Sequence, residues 1–442
     1  MSEYLIIGTG PAGISAAEAI RKLDPGGRIT LVTEEKEGYY SRPGLAYLLT
    51  GEIPQEQLYP FSRDDFQRLQ LKLEFARAVQ ILPAQHQVVL HDGGRIGYDR
   101  VLIATGAQAI PAMLPGAQYS GVIKMDTLAE ARQIIKMARA GRQAVVAGGG
   151  ITALEIVEGL RTRGTRVHYL LRGERYWQNV LDATESRFVE NRLRNEGVQI
   201  HYYTELVEIL GKKGKVAGAV TNQGRVIPCD LVAMAIGVRP RLELAHSAGL
   251  AVDKGILVDE TMRTSSPDIY AAGDVAQVFD PVLGKAILDS LWEPARAQGR
   301  VAGMNMAGLT QHYAKGTPLN VTRLAGITTT IIGRVGGREG DPDIHGIVRG
   351  DSEGWRYPSN GHVLHTADEV NRLRLIVGEQ HLLGGIVMGD QSLSRIVHHL
   401  VSQQVDIRPI RDRILQPGAP VGTLLGQVAN LEANDRRGYA AR

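Results

Sequence analysis

Gly8-Thr9-Gly10-Pro11-Ala12-Gly13 follows the apolar run Tyr4-Leu5-Ile6-Ile7 and opens a stretch with helical periodicity. In a G-x-G-x-x-G at a strand-to-helix turn, the first glycine permits the tight turn. The second lets backbone N–H groups approach a pyrophosphate, and the third lets the helix pack on the sheet. The N-terminus of that helix, here beginning at Pro11 and Ala12, then faces the negative charge. Glu34 and Glu35 close the next strand-like run, RITLVTEE, where a carboxylate accepts hydrogen bonds from a ribose diol. Strand, helix and acid therefore stand where a dinucleotide site needs them, and a ligand-free Gly-rich turn is the weaker alternative.

A second run, Gly148-Gly149-Gly150-Ile151-Thr152-Ala153, repeats the logic with Ala153 in the helix-packing slot. Its second strand ends differently, in Leu170-Leu171-Arg172-Gly173-Glu174-Arg175. Leu171 stands where an acidic ribose ligand would be. Arg172 and Arg175 are placed to bind a 2′-phosphate, which favours NADPH, or else are solvated surface arginines.

The elements that position these residues form an internal echo. Residues 4–35 and 142–174 both read as strand, Gly-rich turn, amphipathic helix, turn, strand, so two βαβ units imply two dinucleotides. Residues 71–107 alternate apolar and polar side chains around a DGG turn at 92–94, and residues 215–240 do so around an NQG turn. Both predict antiparallel strands closing their domains. Residues 256–277 read as strand-turn-strand, followed by a helix from about Pro294 to Met306. From about residue 313 the texture changes to short strands (327–335, 372–378, 382–390) and the amphipathic SLSRIVHHLVSQ. The expected fold is α/β: two Rossmann-like dinucleotide-binding domains plus a smaller C-terminal α+β domain. The boundaries read as 1–112 with 250–312, 113–249, and 313–415, leaving a surface tail at 416–442.

Composition limits the remaining classes. A chain of 442 residues with 43% hydrophobic and 22% charged residues has material for two to four packed domains. A net charge of +3 provides no field of the kind that marks a nucleic-acid binder. The single cysteine, Cys229, excludes an internal disulfide, a dithiol working within the chain and an iron–sulfur cluster held by the chain's own thiolates. No apolar run approaches the ~18 residues that cross a bilayer. No leader pattern precedes Tyr4, so a cytoplasmic location is expected. His362 with His365, and His398 with His399, lack further ligands at zinc-site spacing, so no metal is expected.

Taken together, these motifs resemble the FAD-dependent pyridine nucleotide–disulfide oxidoreductase superfamily. GTGPAG at 8–13, IATGA at 103–107, GGGITALE at 148–155, AIGVRP at 235–240 and YAAGDVA at 270–276 share that family's order and spacing. The resemblance covers about residues 1–310. It implies that the first unit binds FAD and the second NAD(P)H. It also implies that Gly273 and Asp274 contact the ribityl–pyrophosphate region, that Thr105 and Gly106 pass beside FAD, and that Val79 meets adenine through its backbone. Gly148, Gly150 and Gly237 fall on the coenzyme side. In place of a redox cysteine the chain has Tyr40-Ser41-Arg42-Pro43-Gly44-Leu45, similar to rubredoxin and ferredoxin reductases and to the NADH-oxidising portion of assimilatory nitrite reductase. That match puts Arg42, as a fixed cation, and Pro43 against the flavin. It puts Glu155 near the nicotinamide and makes Trp292 an aromatic shield. The sequence departs from the family where Ala46 and Tyr47 replace a frequent Lys, and where Ile151 replaces a frequent gating aromatic.

Hydride transfer between two rings needs no side-chain nucleophile; it needs the rings held about 3–3.5 Å apart. With no thiol pair, the electron acceptor must be external. The expected function is an FAD-dependent NAD(P)H oxidoreductase feeding a small iron–sulfur protein or a partner subunit. The competing reading is a redox-responsive NAD(P)H- and FAD-binding protein, like apoptosis-inducing factor, with little turnover. A homodimer is left open, and Cys229 reads as an inert packing thiol.

Overall fold

Apolar runs too short to be helices and too continuous for a solvent-facing sheet form the centres of two parallel sheets. In the computed structural model, residues 1–336, 350–355, 361–367 and 371–429 are described. The first sheet runs Ile269–Ala271, Arg100–Ile103, Glu3–Ile7, Arg28–Thr33, Leu71–Phe75, all parallel. The second runs Gln199–His201, Arg166–Leu170, Gln143–Ala147, Leu231–Met234, Val122–Ile123, again all parallel. In each, the strand before the Gly-rich turn is central, with the next strand in sequence on one side and a late-returning strand on the other. The internal echo is therefore one topology built twice.

Helix Pro11–Leu23 follows the first turn and Ile151–Thr162 the second. Helix Trp292–Met306 lies directly on Pro11–Leu23, because a Cβ at Gly299 would stand 2.0 Å from the Ala12 carbonyl oxygen and one at Gly303 2.4 Å from that of Ala16. The helix starts two residues earlier than the sequence suggests. Two short antiparallel strands, Ala107–Ala109 and Val238–Pro240, carry the chain out of the first sheet and back to it.

The antiparallel expectation for 71–107 and 215–240 fails at three strands: Arg100–Ile103 and Leu231–Met234 return into the parallel sheets, and so does Leu71–Phe75. The alternation of this last strand predicts an antiparallel partner, but it pairs parallel with Arg28–Thr33 as a half-buried edge strand. Alternation reports which face is buried, and an edge strand shows the same pattern in either direction. The antiparallel pieces are Ala78–Leu82, Gln87–Leu90 and Arg95–Gly97, and Leu206–Lys212, Lys215–Thr221 and Val226–Pro228.

Two compact units result. The first comprises Met1–Glu174, Arg194–Lys315 and residues 350–351; it holds both parallel sheets. The second comprises Arg175–Leu193 with the described residues from 316 onward other than 350–351. Its antiparallel sheet runs Leu319–Leu324, Ile327–Gly333, Leu382–Met388, Arg372–Val377, His362–Ala367. Helices Ser394–Ser402 and Arg408–Ile414 pack with it around Ile332, Leu375, Val397 and Leu400. The expected surface tail is not one over 421–429: those residues are helical and bury Val421, Leu424, Leu425 and Val428 in this core. Residues 430–442 lie outside the described residues.

Residues 175–193 were expected in the second dinucleotide domain but pack into the second unit through buried ion pairs. Arg374 Nε donates to Glu185 Oε1 at 2.9 Å, and its other nitrogens donate to the carbonyls of Val335 (2.9 Å) and Val180 (2.6 Å). Arg372 donates to Asp182 at 2.6 Å. Sequence spacing carries no trace of such pairings. Among the described residues no helix is long and apolar enough to cross a membrane, and no group of three or more His, Cys, Asp or Glu is arranged to hold a metal.

Candidate functional site

The first cradle is built by what glycine permits. Gly8 has φ +114°, and a Cβ there would stand 2.2 Å from the Ala104 carbonyl oxygen, so only glycine lets the turn pass the returning strand. A Cβ at Gly13 would meet the Gly8 carbonyl oxygen at 2.1 Å. Gly10 is different: a Cβ there meets nothing within 4 Å. Gly10 is also the N-cap of Pro11–Leu23 and supplies no side-chain cap, and the first turn holds no acid. The helix start thus has no side-chain cap and borders open space at Gly10, the arrangement an anionic pyrophosphate fits.

The second cradle repeats this. Gly148 has φ +146°, with the Ala235 carbonyl oxygen 2.1 Å from an added Cβ, and Gly150 caps helix Ile151–Thr162 without a side-chain bond. Ile151 is buried, and Glu155 lies one turn along the helix, half-buried on the same face. Gly237, at φ +121°, accepts the Ile110 N–H at 3.0 Å where the two connecting strands meet.

Around the first cradle the sequence motifs converge. Gly273 lies against Ala12, its would-be Cβ 3.1 Å from the Ala12 Cβ, which brings Asp274 to the same helix start. The Gly273 N–H donates to the buried Gln298 side chain at 2.8 Å. Thr105 and Gly106 are tied to Arg241: Thr105 Oγ1 donates to its carbonyl (3.4 Å) and its N–H donates to the Gly106 carbonyl (3.0 Å). Val79 is exposed, and the ladder steps past it from Ala78–Leu90 to Gln80–Val89.

The two strand-end acids part company. Glu34 is exposed and pairs with Arg241 at 2.5 Å. Glu35 accepts the Tyr40 hydroxyl at 2.6 Å and pairs with Arg42. Tyr40 is buried; its hydroxyl also accepts from Arg42 Nη1 (3.1 Å) and from the Leu128 N–H (3.0 Å), and burial pushes its pKa well above the ordinary tyrosine range. Arg42 donates as well to the Asp126 carbonyl, so its guanidinium is clamped between the two βαβ halves. Pro43 is the N-cap of helix Gly44–Thr50. Trp292 opens its helix and stacks on buried Tyr39, with centroids 6.4 Å apart and planes 18° apart; Phe61 meets Tyr39 edge-on at 5.3 Å.

The two arginines that follow strand Arg166–Leu170 also differ. Arg172 is exposed. Arg175 belongs to the second unit, and its guanidinium turns back on its own loop toward the carbonyls of Gln178 (3.3 Å) and Leu181 (3.5 Å). Cys229 packs among Ile227, Val232 and Met234, where burial raises its thiol pKa to about 12. Two partners escaped sequence reasoning. Tyr40 had a signal, its place in the Y-x-R-P run, whereas Arg241 follows the AIGVRP motif by one residue and meets Glu34 only in space.

Residues 2–299 match the family described as pyridine nucleotide-disulphide oxidoreductase. The chain belongs to that family. It is accordingly an FAD-dependent NAD(P)H oxidoreductase. FAD supplies a hydride acceptor that can release electrons one at a time. Within the family the chain is 30% identical over 339 residues to the 3-phenylpropionate/cinnamic acid dioxygenase ferredoxin–NAD(+) reductase component of Photorhabdus laumondii, covering 76% of this chain and 85% of the relative. It is 28% identical over 429 residues to the NADH-dependent phenylglyoxylate dehydrogenase subunit epsilon of Aromatoleum evansii, covering 95% and 96%. The crystal structure of a ferredoxin reductase from Rhodopseudomonas palustris superposes with a TM-score of 0.83 at 25% identity, over 97% of this chain and all of that one.

Proposed function

We propose that this oxidoreductase takes hydride from NAD(P)H at the second cradle and passes electrons, through FAD at the first, to a small iron–sulfur protein or a partner subunit. The carrying observation is that two uncapped helix starts, built alike, accompany a single buried, high-pKa thiol. Such a chain has two dinucleotide cradles and no internal disulfide to reduce. The ferredoxin reductase component and the enzyme-complex subunit among its relatives support the two acceptor classes. In this reading Gly8, Gly10, Gly13, Glu34, Val79, Thr105, Gly106, Gly273 and Asp274 hold FAD. Arg42 and Pro43 border the flavin, Trp292 shields it, and Gly148, Gly150, Ile151, Glu155, Arg172 and Gly237 receive the coenzyme. Arg175, turned toward its own loop, leaves Arg172 as the cation for a 2′-phosphate.

NADPH is used at least as well as NADH, because Leu171 offers no carboxylate to repel the phosphate, and the protein works in the cytoplasm, where that coenzyme pool lies. The test is anaerobic stopped-flow reduction by each coenzyme, followed by mixing with ferredoxin or rubredoxin. Rapid reoxidation by the protein acceptor supports the proposal. A reduced form stable in air and unreactive to every acceptor would make this a redox-responsive binding protein instead. Arg172→Glu should shift preference toward NADH by roughly tenfold or more, the value of one charge-assisted hydrogen bond. Unchanged selectivity would show that the loop does not read the 2′ position.

A further inference from the structure

We propose that Arg241 is a further FAD-positioning residue that completes the ribose end of the first cradle with Glu34. Its place is set by backbone bonds: one residue past strand Val238–Pro240, its N–H and carbonyl are both held by the Thr105-Gly106 turn. From there its Nη1 reaches Glu34 Oε1 at 2.5 Å. Glu34 directly follows strand Arg28–Thr33, the position from which this fold's carboxylate meets a ribose diol. The Arg241 Nε is buried and has no hydrogen-bond partner among the described residues. An N–H so enclosed is out of reach of a ligand oxygen, so Arg241 acts through the Glu34 carboxylate that its Nη1 holds.

Charge gives the residue its purpose. A carboxylate that must accept from a ribose sits close to an anionic pyrophosphate, and the two repel. Arg241 offsets Glu34 while leaving its second oxygen for the diol, and it fixes the carboxylate's direction before FAD arrives. Because Arg241 directly follows the strand returning from the coenzyme-binding half, the adenosine end of FAD is anchored by both halves of the unit.

The inference rests on FAD occupying the first cradle, which the wild-type holoenzyme tests by itself: purified protein without bound FAD would defeat that reading. The inference is tested by the rate of FAD release, followed as flavin fluorescence on dilution of holoenzyme, in Arg241→Gln, Glu34→Gln and the double variant. Arg241→Gln should release FAD about ten- to a hundredfold faster, as the loss of one charge-assisted contact implies. Flavin-free Arg241→Gln should unfold at the wild-type temperature, and the added effect of Arg241→Gln in the Glu34→Gln background should fall below threefold. Release within threefold of wild type, full additivity in the double variant, or a lowered unfolding temperature of the flavin-free variant would each overturn the role.

Discussion

At the scale of single residues, the two glycines of the first turn answer to different demands. Ala at Gly13 must displace the Gly8 carbonyl, 2.1 Å from the new Cβ, and should cost about 3 kcal/mol of stability in denaturant unfolding. Ala at Gly10 meets nothing and needs no left-handed backbone, since φ is −74°. Gly10→Ala should therefore unfold within about 0.5 kcal/mol of wild type yet lose FAD at least tenfold faster, because its methyl fills the space of the pyrophosphate. Equal FAD retention would move the pyrophosphate elsewhere. Cys229 makes the complementary case. A thiol 6% exposed, with its pKa pushed to about 12, is scarcely ionised at neutral pH. Alkylating reagent at pH 7 and Cys229→Ser should both leave flavin reduction by NAD(P)H within about twofold of wild type. Complete loss with FAD retained would make the thiol a participant.

Among elements, the segment Arg175–Leu193 is the one whose allegiance the fold changes. It follows the second βαβ unit in sequence, yet Arg374 holds it to the second unit of the fold through fully buried Glu185. Removing one partner of a buried pair leaves an uncompensated charge, so Arg374→Met should cost about 3–5 kcal/mol, and adding Glu185→Gln should recover most of it. Burial already raises the Glu185 pKa above the usual 4.5, even with Arg374 beside it. A carboxyl with a raised folded pKa prefers its proton in the fold, so its ionisation destabilises above that pKa. The deficit of Arg374→Met should thus be full at high pH and shrink as pH falls through the raised pKa toward 4.5. Urea midpoints from pH 8 to pH 5 measure it, and a deficit constant across that range would mean that Glu185 does not carry it.

For the molecule as a whole, one cysteine in 442 residues sets the stoichiometry. No pair of thiols within the chain can store a second electron pair. Anaerobic titration should complete at one NAD(P)H per FAD and then stop until an external acceptor is added. Consumption of two equivalents would reveal a second redox centre, and with it a different enzyme.

Much of this was legible in the sequence. The two Gly-rich turns, their flanking strands and helices and the acids at 34 and 35 are local: a tight turn, a close backbone approach and a 3.6-residue period each leave a mark within about thirty residues. From those marks came two parallel sheets and two dinucleotides, and from the single cysteine a chain without its own disulfide. What the tertiary structure alone decided are the events between distant residues. It turned Glu35 inward to Tyr40 and Arg42 while leaving Glu34 to Arg241. It made Leu71–Phe75 parallel, drew residues 175–193 to Arg374, and buried Leu424 and Leu425 where a loose tail was expected. Side-chain alternation is blind to strand direction, and charge in a sequence does not say which opposite charge it will meet. Those choices are made when apolar faces pack and every buried ion must find a partner.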